Sequence, residues 1–100
     1  MKTIDVNAKE WFDKVNGNSY FSAVITLDYG TAEAKEYKLP FQYGYDEHYI
    51  DMANQYLIKE NIIKGKRHDN GSYPALWQYC KDNNIILRTS KQENCKKRDL

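Results

Sequence analysis

The stretch Tyr20-Phe21-Ser22-Ala23-Val24-Ile25-Thr26-Leu27 decides how the chain is read. Phe21, Ala23, Ile25 and Leu27 alternate with Tyr20, Ser22, Val24 and Thr26, and a period of two is the signature of a strand with one buried face. Upstream, Ile4, Val6 and Ala8 alternate with Thr3, Asp5, Asn7 and Lys9, which predicts a second half-buried strand. Trp11 and Phe12 are adjacent and break that alternation, so a bulge is expected there. Asn16-Gly17-Asn18 between the two strands is a turn signal. Downstream, after the polar Asp28-Tyr29-Gly30, the residues Tyr37, Leu39 and Phe41 alternate with Glu36, Lys38 and Pro40. Pro40 has no N–H to give a ladder, so this third strand should lie at an edge or end there.

After Gly44 the period changes. Tyr49, Met52, Ala53, Tyr56 and Leu57 follow the spacing of an amphipathic helix that ends near Asn61. Asp46 is its expected N-cap, with Glu47 beside the positive end of the dipole. A basic loop from Lys64 to Asn70 closes on Asn70-Gly71. A shorter helix then places Tyr73, Leu76, Trp77 and Cys80 on one face, with Pro74 in its first turn and Asn83-Asn84 as its stop. Ile85-Ile86-Leu87 reads as a last strand. The expected fold is α+β: a three-stranded antiparallel sheet, two helices, then a C-terminal strand, with the helices on one face. Residues 1–90 form the single domain and 91–100 a charged, flexible tail. The expected core is Ile4, Val6, Phe21, Ala23, Ile25, Leu39, Met52, Ala53, Leu57, Leu76, Trp77 and Ile86.

Composition narrows the function classes. One hundred residues with 41% hydrophobic and 29% charged content suit one globular domain. Cys80 and Cys95 form no CxxC pair, and the first residues contain no apolar leader. No apolar run reaches the length of a membrane span. The expectation is a cytoplasmic protein with free thiols and no membrane partner. Asp46-Glu47-His48 with Asp51 is the single acid–histidine cluster, and it reads better as the start of a helix than as a metal site. His68-Asp69 is not brought to it by any sequence feature. No nucleophile context and no phosphate loop appears, so neither an enzyme nor a cofactor-binding protein is expected.

Two binding readings remain. Nine tyrosines give much of the aromatic content, and tyrosine suits interfaces as well as the rim of a small core. Trp11, Tyr20, Gln42, Tyr43 and Tyr45 are the candidate protein-binding residues, with Tyr43 and Tyr45 flanking Gly44 as rigid anchors. The second reading is nucleic acid. Residues 1–56 carry five lysines against nine acids, and residues 57–100 carry ten Lys/Arg against five acids. Lys64, Lys66, Arg67, Arg88, Lys91, Lys96, Lys97 and Arg98 could track a phosphate backbone while aromatics stack bases. The sequence pI of about 7.7 weighs against it.

The segment Glu10-Trp11-Phe12-Asp13-Lys14-Val15-Asn16-Gly17-Asn18-Ser19-Tyr20-Phe21-Ser22, with Leu39-Pro40-Phe41-Gln42-Tyr43-Gly44-Tyr45 and Tyr49, resembles small proteins of bacteriophages and prophages. The likeness spans about residues 1–60 and transfers no functional residue. It implies a phage setting, in which small accessory proteins act as stoichiometric, anti-CRISPR-like inhibitors of host immunity. The implied partner is a host bacterial protein or nucleoprotein complex.

Overall fold

The computed structural model of the chain describes residues 1–64 and 73–100. Strands β1 (Thr3–Asp13), β2 (Asn18–Leu27) and β3 (Lys35–Tyr43) are followed by helices α1 (His48–Lys59) and α2 (Leu76–Asp82) and by strand β4 (Ile86–Gln92). A 3-10 turn covers Lys97–Asp99. The sheet order is β3-β2-β1-β4. β1, β2 and β3 pair antiparallel, whereas β4 joins β1 in parallel. The architecture is therefore α+β with a mixed four-stranded sheet. A parallel strand needs a long return path, and the α1–α2 segment supplies it between β3 and β4.

Alternation sorts the strands into two faces. Ile4, Val6, Ala8, Phe21, Ala23, Ile25, Leu27 and Leu39 are buried on one face, together with Tyr49, Ala53 and Leu57 of α1 and Leu76 and Cys80 of α2. These residues form the core. Truncating Phe21 or Leu57 to Ala would cost about 2–5 kcal/mol, a large share of the stability of so small a domain. The molecule measures 42 × 38 × 19 Å. Among the described residues the core residues of α1 and α2 lie on one face of the sheet, and the other face is met by the 3-10 turn and Leu100 along part of its length.

Several expectations are corrected. No bulge interrupts β1 at Trp11–Phe12, where pairing to β2 runs unbroken from Ile4–Leu27 to Asp13–Asn18. Phe12 is simply left half-exposed. The irregularity lies instead where β2 meets β3. Phe21 faces Gln42 and Ala23 faces Leu39, so Pro40 and Phe41 together oppose Ser22. The N-cap of α1 is Glu47, without a side-chain bond, because Asp46 sits at φ 54°. Pro74 precedes α2, whose N-cap is Ala75. Trp77 is 60% exposed, since Leu76 and Cys80 take the inward face of α2. Ile86 is also 60% exposed: it pairs with Thr3, and that parity points to the sheet face opposite the helices. Met52 packs on the core but is only partly buried. The last strand, read from Ile85-Ile86-Leu87, runs from Ile86 to Gln92. The helix ends do use left-handed asparagines, Asn61 at φ 57° and Asn84 at φ 56°.

Candidate binding face

The sheet face opposite the helices is ordered in rows by the pairing register. Glu36, Thr26, Asp5 and Arg88 form the first row, from β3 to β4. Lys38, Val24, Asn7 and Ser90 form the second. The Pro40–Phe41 bulge, Ser22, Lys9 and Gln92 make the third, and Tyr43, Tyr20 and Trp11 the fourth.

The fourth row is the aromatic end. The inserted residue in β3 shifts its alternation by one, so Phe41 joins Trp11 and Tyr20 instead of following Leu39 into the core. Gln42 Nε2 donates to Pro40 O at 3.1 Å across the bulge. Ring centroids lie 5.6 Å apart for Trp11–Tyr20, 5.0 Å for Tyr20–Phe41 and 6.3 Å for Trp11–Phe41. Tyr20 and Phe41 are within 12° of parallel, an offset stack. Tyr43 meets Tyr20 edge-on at 5.8 Å, and Tyr45 meets Tyr43 edge-on at 6.0 Å. Five rings thus form one continuous cluster. Phe41, Tyr43 and Tyr45 remain 42%, 54% and 56% exposed. The Tyr43 hydroxyl is pushed above its ordinary pKa, first by desolvation and then by neighbouring tyrosines.

Of the candidate protein-binding residues, Trp11, Tyr20, Tyr43 and Tyr45 come together. Gln42 does not, because it pairs with Phe21 and so belongs to the helix-bearing face. Phe41 is the member that sequence reading missed. The one signal for it was Pro40, whose missing N–H favours a bulge.

The basic candidates do not form one track among the described residues. Arg88 is committed to Asp5, with Nε–Oδ1 at 2.7 Å and Nη2–Oδ2 at 2.9 Å. Lys91 donates to Asp46 O at 2.9 Å and lies 3.5 Å from Glu10, on the helix-bearing face. Lys96 begins the 3-10 turn, its N–H bonded to Asp99 Oδ2. Lys64 lies near Ile62, which lines a hollow with Met1 and Leu27 at the far end of the sheet. Arg98 is exposed. Among the described residues only Lys97 touches the cluster, its ammonium 5.7 Å from the Trp11 centroid. Lys66, Arg67, His68 and Asp69 lie outside the described residues.

A groove of about 660 Å³ adjoins the aromatic end. Ser22 and Val24 form its floor, Lys9 and Lys38 flank them, and Pro40 and Phe41 wall one side. Neither Lys9 nor Lys38 has a carboxylate partner among the described residues. On the helix side, His48 is exposed and its ring meets Phe21 edge-on at 6.1 Å. Among the described residues no three His, Cys, Asp or Glu side chains converge as a metal site would need, and no helix is long and apolar enough to cross a membrane.

Compared with known proteins, the chain matches no family model, no curated sequence and no solved structure.

Proposed function

We propose that the protein is a non-catalytic binding module that docks a protein partner on the aromatic end of the sheet face opposite its helices. One observation carries this reading: five contiguous rings, three of them about half exposed, at the aromatic end of the sheet face opposite α1 and α2. Rigid aromatic side chains lose little entropy on docking and bury much area, which is why they dominate interface energies. The resemblance to bacteriophage proteins supplies the setting, a stoichiometric counter-defence inhibitor of the anti-CRISPR kind acting inside the bacterial host.

Affinity capture from bacterial lysate, with and without nuclease, tests the reading. A partner retained after nuclease treatment, and lost on Tyr43→Ala or Tyr45→Ala with about 2 kcal/mol or more of binding each, supports it. Recovery that both substitutions leave unchanged rejects it.

The second reading is a small nucleic-acid-binding accessory protein, and the Lys97 ammonium on Trp11 favours it. It requires capture to be nuclease-sensitive and affinity to fall steeply with salt. It also requires charge reversal at Lys96, Lys97 and Arg98 to abolish binding.

A further inference from the structure

We infer that the outer edge of β4 pairs antiparallel with β4 of a second copy of this chain, about a two-fold axis at Thr89. The inference is independent of the docking reading. Strand parity fixes which groups the edge offers. The Ile86 N–H donates to Lys2 O at 3.0 Å, and Ile86 pairs with Thr3. In a parallel ladder alternate residues turn both main-chain groups to the same neighbour, so Ile86, Arg88, Ser90 and Gln92 face β1. The N–H and C=O groups of Leu87, Thr89 and Lys91 face away from it, and among the described residues no strand pairs with that side. An unpaired strand edge is a template for another strand. The opposite edge of the sheet, β3, is guarded against such pairing by Pro40, by its bulge and by the exposed charges of Lys35, Glu36 and Lys38. β4 has no proline, and its register with β1 runs unbroken from Thr3–Ile86 to Lys9–Gln92. Its cations are drawn inward to carboxylates of β1, Arg88 to Asp5 at 2.7 Å and Lys91 to Glu10 at 3.5 Å, so neither is spent on guarding the edge.

The edge is complementary to itself in one register. An axis at Thr89 sets Thr89 opposite Thr89, Leu87 opposite Lys91, Arg88 opposite Ser90 and Ile86 opposite Gln92 of the second copy. Every outward main-chain group of Leu87, Thr89 and Lys91 then meets a partner within β4, and no two like charges stand directly opposite. Moving the axis to Arg88 would set guanidinium against guanidinium. Moving it to Ser90 would carry Leu87 opposite Glu93, past the end of the strand. Axes between residues would oppose outward groups to groups already given to β1. A self-complementary patch of this kind makes a closed, two-fold contact. With the axis normal to the sheet, the helices of both copies stay on one side, and the two aromatic ends lie at opposite ends of the joined sheet. The contact is one strand wide, so the dimer should be weak, with a dissociation constant of about 100 μM.

Sedimentation velocity of the whole chain, from about 10 μM to about 1 mM, tests the inference on the wild type and on Thr89→Lys, Thr89→Asp and Thr89→Pro. Thr89 is exposed, and its N–H takes no part in the β1 ladder, so each variant should keep the fold, proline included. Circular dichroism and the thermal midpoint check this. The wild type should pass from monomer to dimer across the range. Thr89→Lys and Thr89→Asp should each weaken association about fivefold or more by setting like charges opposite each other, and an equimolar mixture of the two should restore it. Thr89→Pro should abolish it by removing the central N–H from both copies. A monomer even at about 1 mM, association that all three variants leave unchanged, or a mixture no better than either charged variant alone would each overturn the inference. A dimer lost on Tyr43→Ala and kept on Thr89→Pro would place the contact at the aromatic end and overturn it as well.

Discussion

Phe41 lies against Tyr20 with ring centroids 5.0 Å apart and planes within 12°, although the two residues stand on strands whose register breaks between them. That contact exists only because Pro40 and Phe41 share one place opposite Ser22. If the bulge positions Phe41 as described, the two rings must be energetically coupled. A double-mutant cycle of Tyr20→Ala and Phe41→Ala in urea unfolding should give a coupling of about 0.5–1.5 kcal/mol. Additive losses would mean that Phe41 does not reach the aromatic face.

Gly44 joins the aromatic end to α1 at a spot where a side chain has no room. Its N–H donates to Ser19 O at 3.0 Å. A Cβ there would fall 2.6 Å from His48 Cδ2 and 2.8 Å from Phe21 Cε1. His48 is exposed and can turn away, but the Phe21 ring is packed in the core. Gly44→Ala should therefore cost about 1–3 kcal/mol, and it should displace Tyr43 and Tyr45 as well. Gly17 provides the contrast. It has φ 69° with open space around its Cα, so Gly17→Ala should cost only about 1 kcal/mol of backbone strain. Urea midpoints of the two variants compare them directly, and an equal or reversed order would refute the steric account.

The strands β1 and β2 are legible in the sequence because their alternation runs unbroken through Ile4–Ala8 and Phe21–Leu27. α1 is legible because Tyr49, Ala53 and Leu57 repeat at helical spacing. The side of the sheet taken by Phe41 is not legible. Counting by twos carries it with Leu39, and an inserted residue is invisible to any fixed period. Ile86 fails for a related reason: three consecutive apolar residues have no phase, and only pairing with Thr3 assigns one. Trp77 adjoins Leu76 at helical spacing, and which of them turns inward depends on what packs opposite. The basic set fails differently. Arg88 looks like a free cation until Asp5, 83 residues earlier, arrives beside it. Lys9 and Lys38 look ordinary until the sheet sets them around one groove.

Two aspartates tie down the turns, and their titration should be visible in stability. Asp13 accepts from Asn16 Nδ2 at 2.8 Å, from Val15 N at 3.0 Å and from Asn16 N at 3.3 Å. These bonds, the Asn16 side chain's first, hold its carboxyl below the usual aspartate value of 3.8. Asp28 is lowered in the same direction, first by the backbone N–H of Lys2 and then by that of Thr3. A depressed carboxyl favours the folded state above the unfolded value, and that contribution disappears as pH falls through the folded value. The chain should therefore lose stability below about pH 4. Asp13→Asn with Asp28→Asn should be less stable than wild type near neutrality, and the gap should close as pH falls through the lowered carboxyl values. Parallel stability curves for the two proteins across that window would show that neither carboxylate contributes.

The two thiols should separate cleanly by reactivity. Cys80 is 2% exposed on the inward face of α2, and burial pushes its pKa up to about 11. The nucleophile is the thiolate, so at pH 8 only about one Cys80 in a thousand is in the reactive form, and that form is screened by the core. Cys95 follows β4, part-exposed, its N–H bonded to Glu10 O at 3.0 Å and its Sγ 3.4 Å from Gln92 O. A chromogenic disulfide reagent at pH 8 should titrate one thiol in the native protein and two in urea. Cys95→Ser should abolish the native reaction and leave the second intact. The rate at Cys80 should then report opening of α2 from the sheet, and it should rise when Leu57→Ala weakens the core against which α2 closes. Reaction of both thiols at one rate in native buffer would mean that α2 does not seal the core as the packing of Leu76 and Cys80 requires.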